Sequence, residues 1–592
     1  MAIPLFSLHS QQSVGIGEIP DLKLLVDWCT KVGFSLIQLL PLNDVGFNFT
    51  PYDAASSFAV EPMYLSPERL QGVDLRPFRQ KISGLRKQFP LGGFRVNYKI
   101  KKEKMKLFFE IFRTNFLCHP EDGPRMDRTK DDIGDFSSFV KQNSFWILDY
   151  ALFKVLKEIH KESSWESWPS EFKNRDPKAL RILQDQYEQS LRFHQWLQWQ
   201  LALQLEDARR YAAAQHQYFL GDMPFLVSRD SADVWANTNY FKLNLAAGAP
   251  PDAYMAKGQR WGMPPYEWQA LERDGFRYIK EKLRFYENFY DLIRIDHAVG
   301  VFRLWTIPVE ESLENGGLKG HFDPPGEELW EAHGRKLFSI LVENTSMLAS
   351  AEDLGVIPEC SSRVLREFGI PGMEIQRWMK DWGKTYDFLS SEGYRAAAVS
   401  MLGTHDSTSL KGWWRFEAGT VDGEMMKRKF QEHGLNCEKL FPALFDLENS
   451  AHGRLLWRKE IANEDIFCEK IGRSMQSVND LLDLYHASYG EKEKYLNFIG
   501  MESSPDDVTP EFAKKALLRA CESQSIFSVH LLQDWFSMDE NFSPDAWDYR
   551  INFPGILSPN NWTLAFPVAL EEMMDLAVNL KIREINQTTG RL

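Results

Sequence analysis

Asp296 in "LIRIDHAVG" (292–300), Glu352 in "MLASAEDLG" (347–355) and Asp406 in "AAAVSMLGTHD" (396–406) each stand at the end of a short apolar run. An ionised carboxyl there costs free energy unless it is paired or used. Glycosyl transfer with retention uses such a set: one carboxylate attacks the anomeric carbon, and a second carboxyl about 5–5.5 Å away donates and then removes a proton. A third carboxylate gripping ring hydroxyls can distort the sugar towards its oxocarbenium-like transition state. Arg294 lies two residues before Asp296, so on a strand the two side chains share a face. Its guanidinium is expected to keep Asp296 ionised and nucleophilic. The apolar neighbours Ala351 and Leu354 are expected to raise the pKa of Glu352, as a proton donor requires. Asp353 would point the other way and hold the loop. His297 and His405 are donors suited to sugar hydroxyls.

The same residues allow blander readings. A lone Asp at a strand end is commonly a helix cap or half of an ion pair. Asp296, His297, His405 and Asp406 could also surround a metal, although the compact H-x-x-x-H or cysteine spacing of a zinc site is missing.

Bringing these residues together is the task of the elements that carry them. Further apolar runs occur at 34–43, 218–227, 372–378 and 525–536, with amphipathic stretches such as "ELWEAHGRKLFSILVEN" (328–344) between them. Strands alternating with helices over this length predict an α/β fold, a closed (β/α)8 TIM barrel whose strand ends open onto one face. Asp222, Asp296, Glu352 and Asp406 would then share that rim. Two charged, helical stretches interrupt the alternation. The expected division is 1–62 first part of the barrel, 63–205 mainly helical insertion, 206–415 central barrel with the three carboxylates, 416–524 helical insertion, and 525–592 barrel closure with a C-terminal helix.

The 592 residues carry a formal net charge of −14, which argues against nucleic acid or an anionic membrane as the main partner. No apolar run approaches the ~18 residues of a membrane span. The six cysteines form no C-x-x-C pair and read as reduced thiols of a cytoplasmic protein, and no secretory leader pattern opens the chain. Aromatic residues reach 13%, with 19 Trp. Their faces suit sugar rings, and cores use them as well.

"RIDH", "AEDLG" and "GTHD", in that order, resemble the 4-α-glucanotransferases (amylomaltases or disproportionating enzymes) of glycoside hydrolase family 77. The resemblance extends to "GIGEIPDL" (15–22), "QLLPLN" (38–43), "TPYDAASSFAVEPMYLS" (50–66), "GDMPFLVSRDSADVW" (221–235), "GAPPDAY" (248–254), "GQRWG" (258–262) and "NFPG" (552–555). It implies a barrel with inserted subdomains, a retaining double displacement, malto-oligosaccharides, glycogen or other α-1,4-glucans as partners, and no metal or organic cofactor. By motif position it implies Asp296 as nucleophile, Glu352 as acid/base and Asp406 as transition-state stabiliser beside His405. Arg294 would orient the nucleophile, Tyr52 would stack on or hydrogen-bond the donor sugar, and Asp222 and Trp261 would line the cleft. Trp235 and Trp305 are further cleft aromatics on this reading. Where many members carry Phe-Arg-Gly-Phe after the first motif, this chain has "AVGVFRLW"; "MPPY" follows "GQRWG", and Ser407 follows "GTHD". The "RLW" and the long insertions look more like the larger bacterial and plant cytosolic type. The rivals are a hydrolase or debranching enzyme of the α-amylase group, whose Asp-x-x-x-Asn-His signature is missing, and a catalytically silent glucan-binding protein.

Overall fold

Eight short parallel strands follow one another around a cylinder in the computed structural model, which describes residues 1–116, 136–251, 257–556 and 558–592. Asp252 to Tyr254 of "GAPPDAY" and Cys118 lie outside the described residues. The strands are β1 Ala2–Ile3, β2 Leu36–Leu39, β3 Tyr218–Met223, β4 Leu292–Ile295, β5 Leu348–Ala351, β6 Gly372–Ile375, β7 Ala398–Met401 and β8 Phe527–Ser528. β1 to β5 form one parallel ladder and β6 to β8 another. Two seams close the ring. The Ala351 N–H donates to Pro371 O at 2.8 Å, and the Ala2 N–H donates to His530 O at 2.8 Å beside a parallel Ala2–Leu531 bridge. The expected (β/α)8 barrel is therefore present. The strands read as apolar runs because helices cover their outer faces.

The crossover helices are α1 Asp21–Val32, α2 Glu188–Ala214, α3 Arg277–Glu287, α4 Glu327–Glu343, α5 Glu359–Glu367, α6 Pro510–Cys521 and α7 Val578–Thr588. In α1, Leu22, Leu25, Val26, Cys29 and Val32 recur at helical spacing and are buried. Gly33 ends the helix at φ 85°, a left-handed conformation that suits a residue without a side chain. The N-terminus of α6 is capped by Thr509, whose side chain accepts from the Phe512 N–H, with Pro510 in the first turn. Only 3-10 turns, Gln376–Trp378 and Ser391–Gly393, link β6 to β7 among the described residues.

Register sets the height of the rim. Asp222 pairs with Arg294 and Arg294 with Ser350, while Ile295 pairs with Ala351. Asp296 and Glu352 thus follow two paired strands at the same level. At Gly221 a Cβ would lie 2.5 Å from the Tyr290 ring, so β3 reaches this register only with glycine there.

Long excursions leave the mouth side. The segment between β2 and β3 includes helices Lys99–Phe116 and Ile147–Ile159. An antiparallel sheet ordered Gln259–Arg260, Leu245–Ala249, Leu304–Pro308 and His321–Asp323 is built from the segments that follow β3 and β4. Between β7 and β8, Val421, Phe430, Phe445, Trp457, Phe467, Leu481 and Tyr485 enclose a second apolar core. Two features differ from the helical segment expected over 416–524. Thr420–Asp422, Arg454–Trp457 and Phe445–Asp446 form a small antiparallel sheet. Helix α6 belongs to the barrel, because Phe512, Ala513, Ala516 and Leu517 are buried in the main core. Among the described residues, no helix is long and apolar enough to cross a membrane.

Candidate active site

Arg294 sits at the centre of the rim, 4% exposed. Its Nη1 donates to Asp222 Oδ1 at 2.6 Å and to Asp296 Oδ1 at 3.1 Å, and its Nη2 reaches Glu352 Oε2 at 2.9 Å. One planar fork thus joins three carboxylates from three strand ends, a geometry that lysine could not reproduce. The shared face of Arg294 and Asp296 is as the period-2 spacing predicts. Asp353 faces away, as expected, accepting from the Met373 N–H at 2.7 Å and from Arg395 Nη1 at 2.6 Å.

The loop after β4 turns sharply. His297 has φ 46°, a left-handed conformation uncommon for a residue with a side chain. That turn aims its backbone N–H at Glu352 Oε2, 2.8 Å away. The ladder continues past the strand ends, with the Glu352 N–H donating to Ile295 O at 3.0 Å and the Ala298 N–H to Glu352 O at 3.1 Å. The two nitrogens of the Arg294 guanidinium hold the carboxyls of Asp296 and Glu352 side by side, so that each perturbs the other's titration.

These contacts reverse the expected order of pKa values. Burial and the adjacent Glu352 charge push Asp296 well above the usual carboxylate range, against the pull of Arg294. Burial also works to raise Glu352, but Arg294, the His297 N–H and the Asp296 hydroxyl outweigh it and hold Glu352 down at about 2. Two like charges so close do not both ionise. The proton therefore sits on the carboxyl with fewer donors, Asp296. Burial lowers the His297 pKa and leaves its imidazole neutral, while Arg294 is held charged.

Tyr52 closes the floor from the loop after β2. Its hydroxyl donates to Asp222 Oδ2 at 2.8 Å, and burial beside Asp222 raises its pKa so that it stays protonated. Its ring stacks on His405 with centroids 4.9 Å apart and planes 15° apart. Asp406 is the most open of the three carboxylates, with 44% of its side chain exposed. Trp261 meets the His297 ring edge-on at 4.7 Å. The nine singled-out residues, Tyr52, Asp222, Trp261, Arg294, Asp296, His297, Glu352, His405 and Asp406, are therefore linked by direct contacts into one group or into its flank. Among the described residues, no cluster of three His, Cys, Asp or Glu side chains has a metal-holding arrangement.

Two cleft aromatics stand elsewhere. Trp235 is fully buried, donating through Nε1 to Phe172 O at 2.9 Å under the Arg175 guanidinium, so it is a core residue. Trp305 donates to Gly317 O at 2.8 Å and packs on Phe322 within the antiparallel sheet. Three residues were not singled out. Asn552 Nδ2 donates to Asp406 Oδ1 at 2.8 Å, Arg550 Nη2 to Asp406 O at 2.9 Å, and Trp562 packs on both Tyr52 and His405. The "NFPG" motif holds Asn552, a signal that could have been followed; a lone Trp562 carries none.

The 4-alpha-glucanotransferase family model matches residues 3–569. A 4-alpha-glucanotransferase of Chlamydia pneumoniae is 33% identical over 573 residues, covering 96% of this chain and 91% of its own. One from Thermus thermophilus is 33% identical over 391 residues, covering 64% and 72%. Among solved structures, an amylomaltase from Streptococcus agalactiae in complex with acarbose has a TM-score of 0.71 at 20% identity, over 100% of this chain and 98% of its own. That last likeness speaks for the fold alone.

Proposed function

The chain belongs to the 4-alpha-glucanotransferase family, and from that membership we propose that it moves α-1,4-glucan segments or glucosyl units between malto-oligosaccharides or glycogen-like acceptors in the cytoplasm. The observation that carries the mechanism is the Asp296–Glu352 pair, both carboxyls forked by the one Arg294 guanidinium. Carboxyls so close leave no room for the water that inversion places between groups about 6.5–9.5 Å apart, and they suit retention.

Asp296 is the nucleophile and Glu352 the acid/base. The pair holds one proton, which is the number the first step needs, but on the other partner. A glucan that displaces Glu352 from the His297 N–H weakens the set of donors that keeps it anionic. The proton then passes from Asp296 to the adjacent Glu352, leaving an Asp296 carboxylate beside Arg294. Asp296 attacks C1, the C1–O bond breaks, and Glu352 protonates the departing 4-oxygen. Glu352, now a carboxylate, takes the proton from the 4-hydroxyl of an acceptor as that oxygen displaces Asp296 from C1. Asp406, held by Asn552 and flanked by His405, grips ring hydroxyls, while Tyr52, Asp222, Trp261 and His297 shape the donor site. Transfer outruns hydrolysis only where a bound acceptor exceeds the effective concentration of water, ~55 M, which oriented reactants do.

The test is incubation of the purified chain with maltotriose in buffer with a chelator. Glucose together with chains longer than maltotriose is the expected product set. Glucose and maltose without longer chains would sink transfer in favour of hydrolysis, and unchanged maltotriose would favour the binding-protein reading.

A further inference from the structure

Beyond the three carboxylates, four aromatic rings gather beside Asp406 and join neither apolar core. The His452 ring lies flat on the Trp547 indole, with centroids 3.9 Å apart and planes 7° apart. Phe416 meets His452 edge-on at 4.7 Å and Trp547 at 5.7 Å, and Phe553 stands 6.0 Å from Trp547. They arrive from three places: Phe416 from the segment just after β7, His452 from the unit inserted before β8, and Trp547 and Phe553 from the loop after β8. Neither the barrel core nor the second core includes any of the four. His452 is exposed, while Phe416 and Trp547 are half-buried. Phe553 is buried, so burial accounts for that ring but not for the other three.

Two local geometries present these rings. Phe416 lies in a widened π-type turn, Trp413–Glu417, a form often found at functional positions. His452 has φ 53°, another left-handed residue with a side chain. The group is continuous with the catalytic rim. The Arg550 guanidinium stands 4.3 Å from the Phe553 ring and 5.7 Å from Trp547, and it donates to Asp406 O at 2.9 Å. Flat apolar faces beside a sugar-handling carboxylate, with an exposed imidazole able to bond hydroxyls, match the two-faced chemistry of a glucose ring.

We propose that Phe416, His452 and Trp547 form a platform for the outer glucose units of an α-1,4-glucan whose inner units lie at the carboxylates. This rests on the proposed function and adds a length requirement to it: a chain too short to reach the platform loses its stacking. The unit inserted between β7 and β8 thereby supplies a binding residue.

The experiment is calorimetric titration of the Asp296→Asn chain with maltotriose and with maltoheptaose, with and without Trp547→Ala. The Kd for maltoheptaose should rise about tenfold relative to that for maltotriose, the scale of one lost aromatic stack. Phe416→Ala should shift the same ratio in the same direction, which guards against a folding defect peculiar to Trp547→Ala. A ratio unchanged within twofold in both variants would overturn the platform while leaving glucan transfer standing. Failure of either sugar to bind the Asp296→Asn chain would overturn both.

Discussion

Arg294 bonds Asp222, Asp296 and Glu352 at once, so its loss would leave three carboxyls around a buried space with no cation. Arg294→Met should lower kcat/KM on maltotriose by about 10³ or more, on the scale of removing a preorganised charge from a transition state. Arg294→Lys should recover little, because an ammonium cannot fork; full recovery would refute the fork's role. The carboxyl pair also makes a pH prediction. The proton on Asp296 persists above the usual carboxylate range, so activity should fall on the alkaline side only when that proton leaves and Glu352 has none to donate. On the acid side the plateau should reach towards about 2, the Glu352 value. A glucosyl fluoride donor, whose leaving group needs no protonation, should lose the alkaline limb of the first step; an identical limb with both donors would sink the transfer of the Asp296 proton to Glu352. Stability follows the same signs. The Asp296 contribution is full below its unfolded pKa and is lost as pH rises through the raised folded value. The Glu352 contribution is present above its unfolded pKa and is lost as pH falls towards about 2. Period-2 spacing alone predicts that Arg294 and Asp296 share a face. The reversed pKa order was not legible, because the deciding donor is a backbone N–H that depends on His297 being left-handed, and no residue type announces that.

The loop bearing Tyr52 is pinched at its base by the Asn43–Val60 bridge, and two fully buried carboxylates, Asp44 and Glu61, flank that bridge. Lys101 Nζ donates to Asp44 at 3.1 Å and Glu61 at 2.7 Å and also to Gly46 O, while Lys154 and Tyr150 bond Asp44 at 2.8 Å each. Three residues of the inserted helices Lys99–Phe116 and Ile147–Ile159 thus anchor an active-site loop from below. Removing one partner of such a network costs about 3–5 kcal/mol, because the remaining charges stay buried. Lys101→Met should therefore lower the thermal midpoint markedly, and Lys101→Met with Glu61→Gln should recover part of the loss by removing one orphaned charge. An equal midpoint in the single and double variants would argue against charge imbalance as the cause. Sequence periodicity predicts these helices but not their duty, since a lysine on an amphipathic helix ordinarily faces solvent. Trp235 errs in the opposite sense: its motif position suggested the cleft, while its burial under Arg175 is a tertiary fact.

At the scale of the molecule, the barrel is legible because seven of its strands stand out as apolar runs, most of them followed by a helix with its own apolar period, whereas the two-residue β1 and the helix-free link from β6 to β7 carry no such signal. The unit between β7 and β8 is less so, since its sheet is built from strands of two to four residues whose pairing is set by the second core. That core is separate, and hydrogen bonds and ring contacts rather than shared core residues join it to the barrel: Lys380 Nζ donates to Glu491 Oε1 at 2.6 Å, the Gly419 N–H to Glu491 Oε2 at 2.7 Å, and the Tyr386 ring stacks on His486. Cores that share no side chains should open independently. Phe430, fully buried in the second core, is the place to test this: Phe430→Ala removes about 3–5 kcal/mol of packing. Amide hydrogen exchange should lose protection across 421–489 and keep it in β3, β4 and β5. A loss spread over the barrel strands would mean that the two cores unfold as one. Because His452 stands on this unit, the same variant should weaken maltoheptaose more than maltotriose, so that the looseness of an insertion is read out in the length of glucan the carboxylates receive.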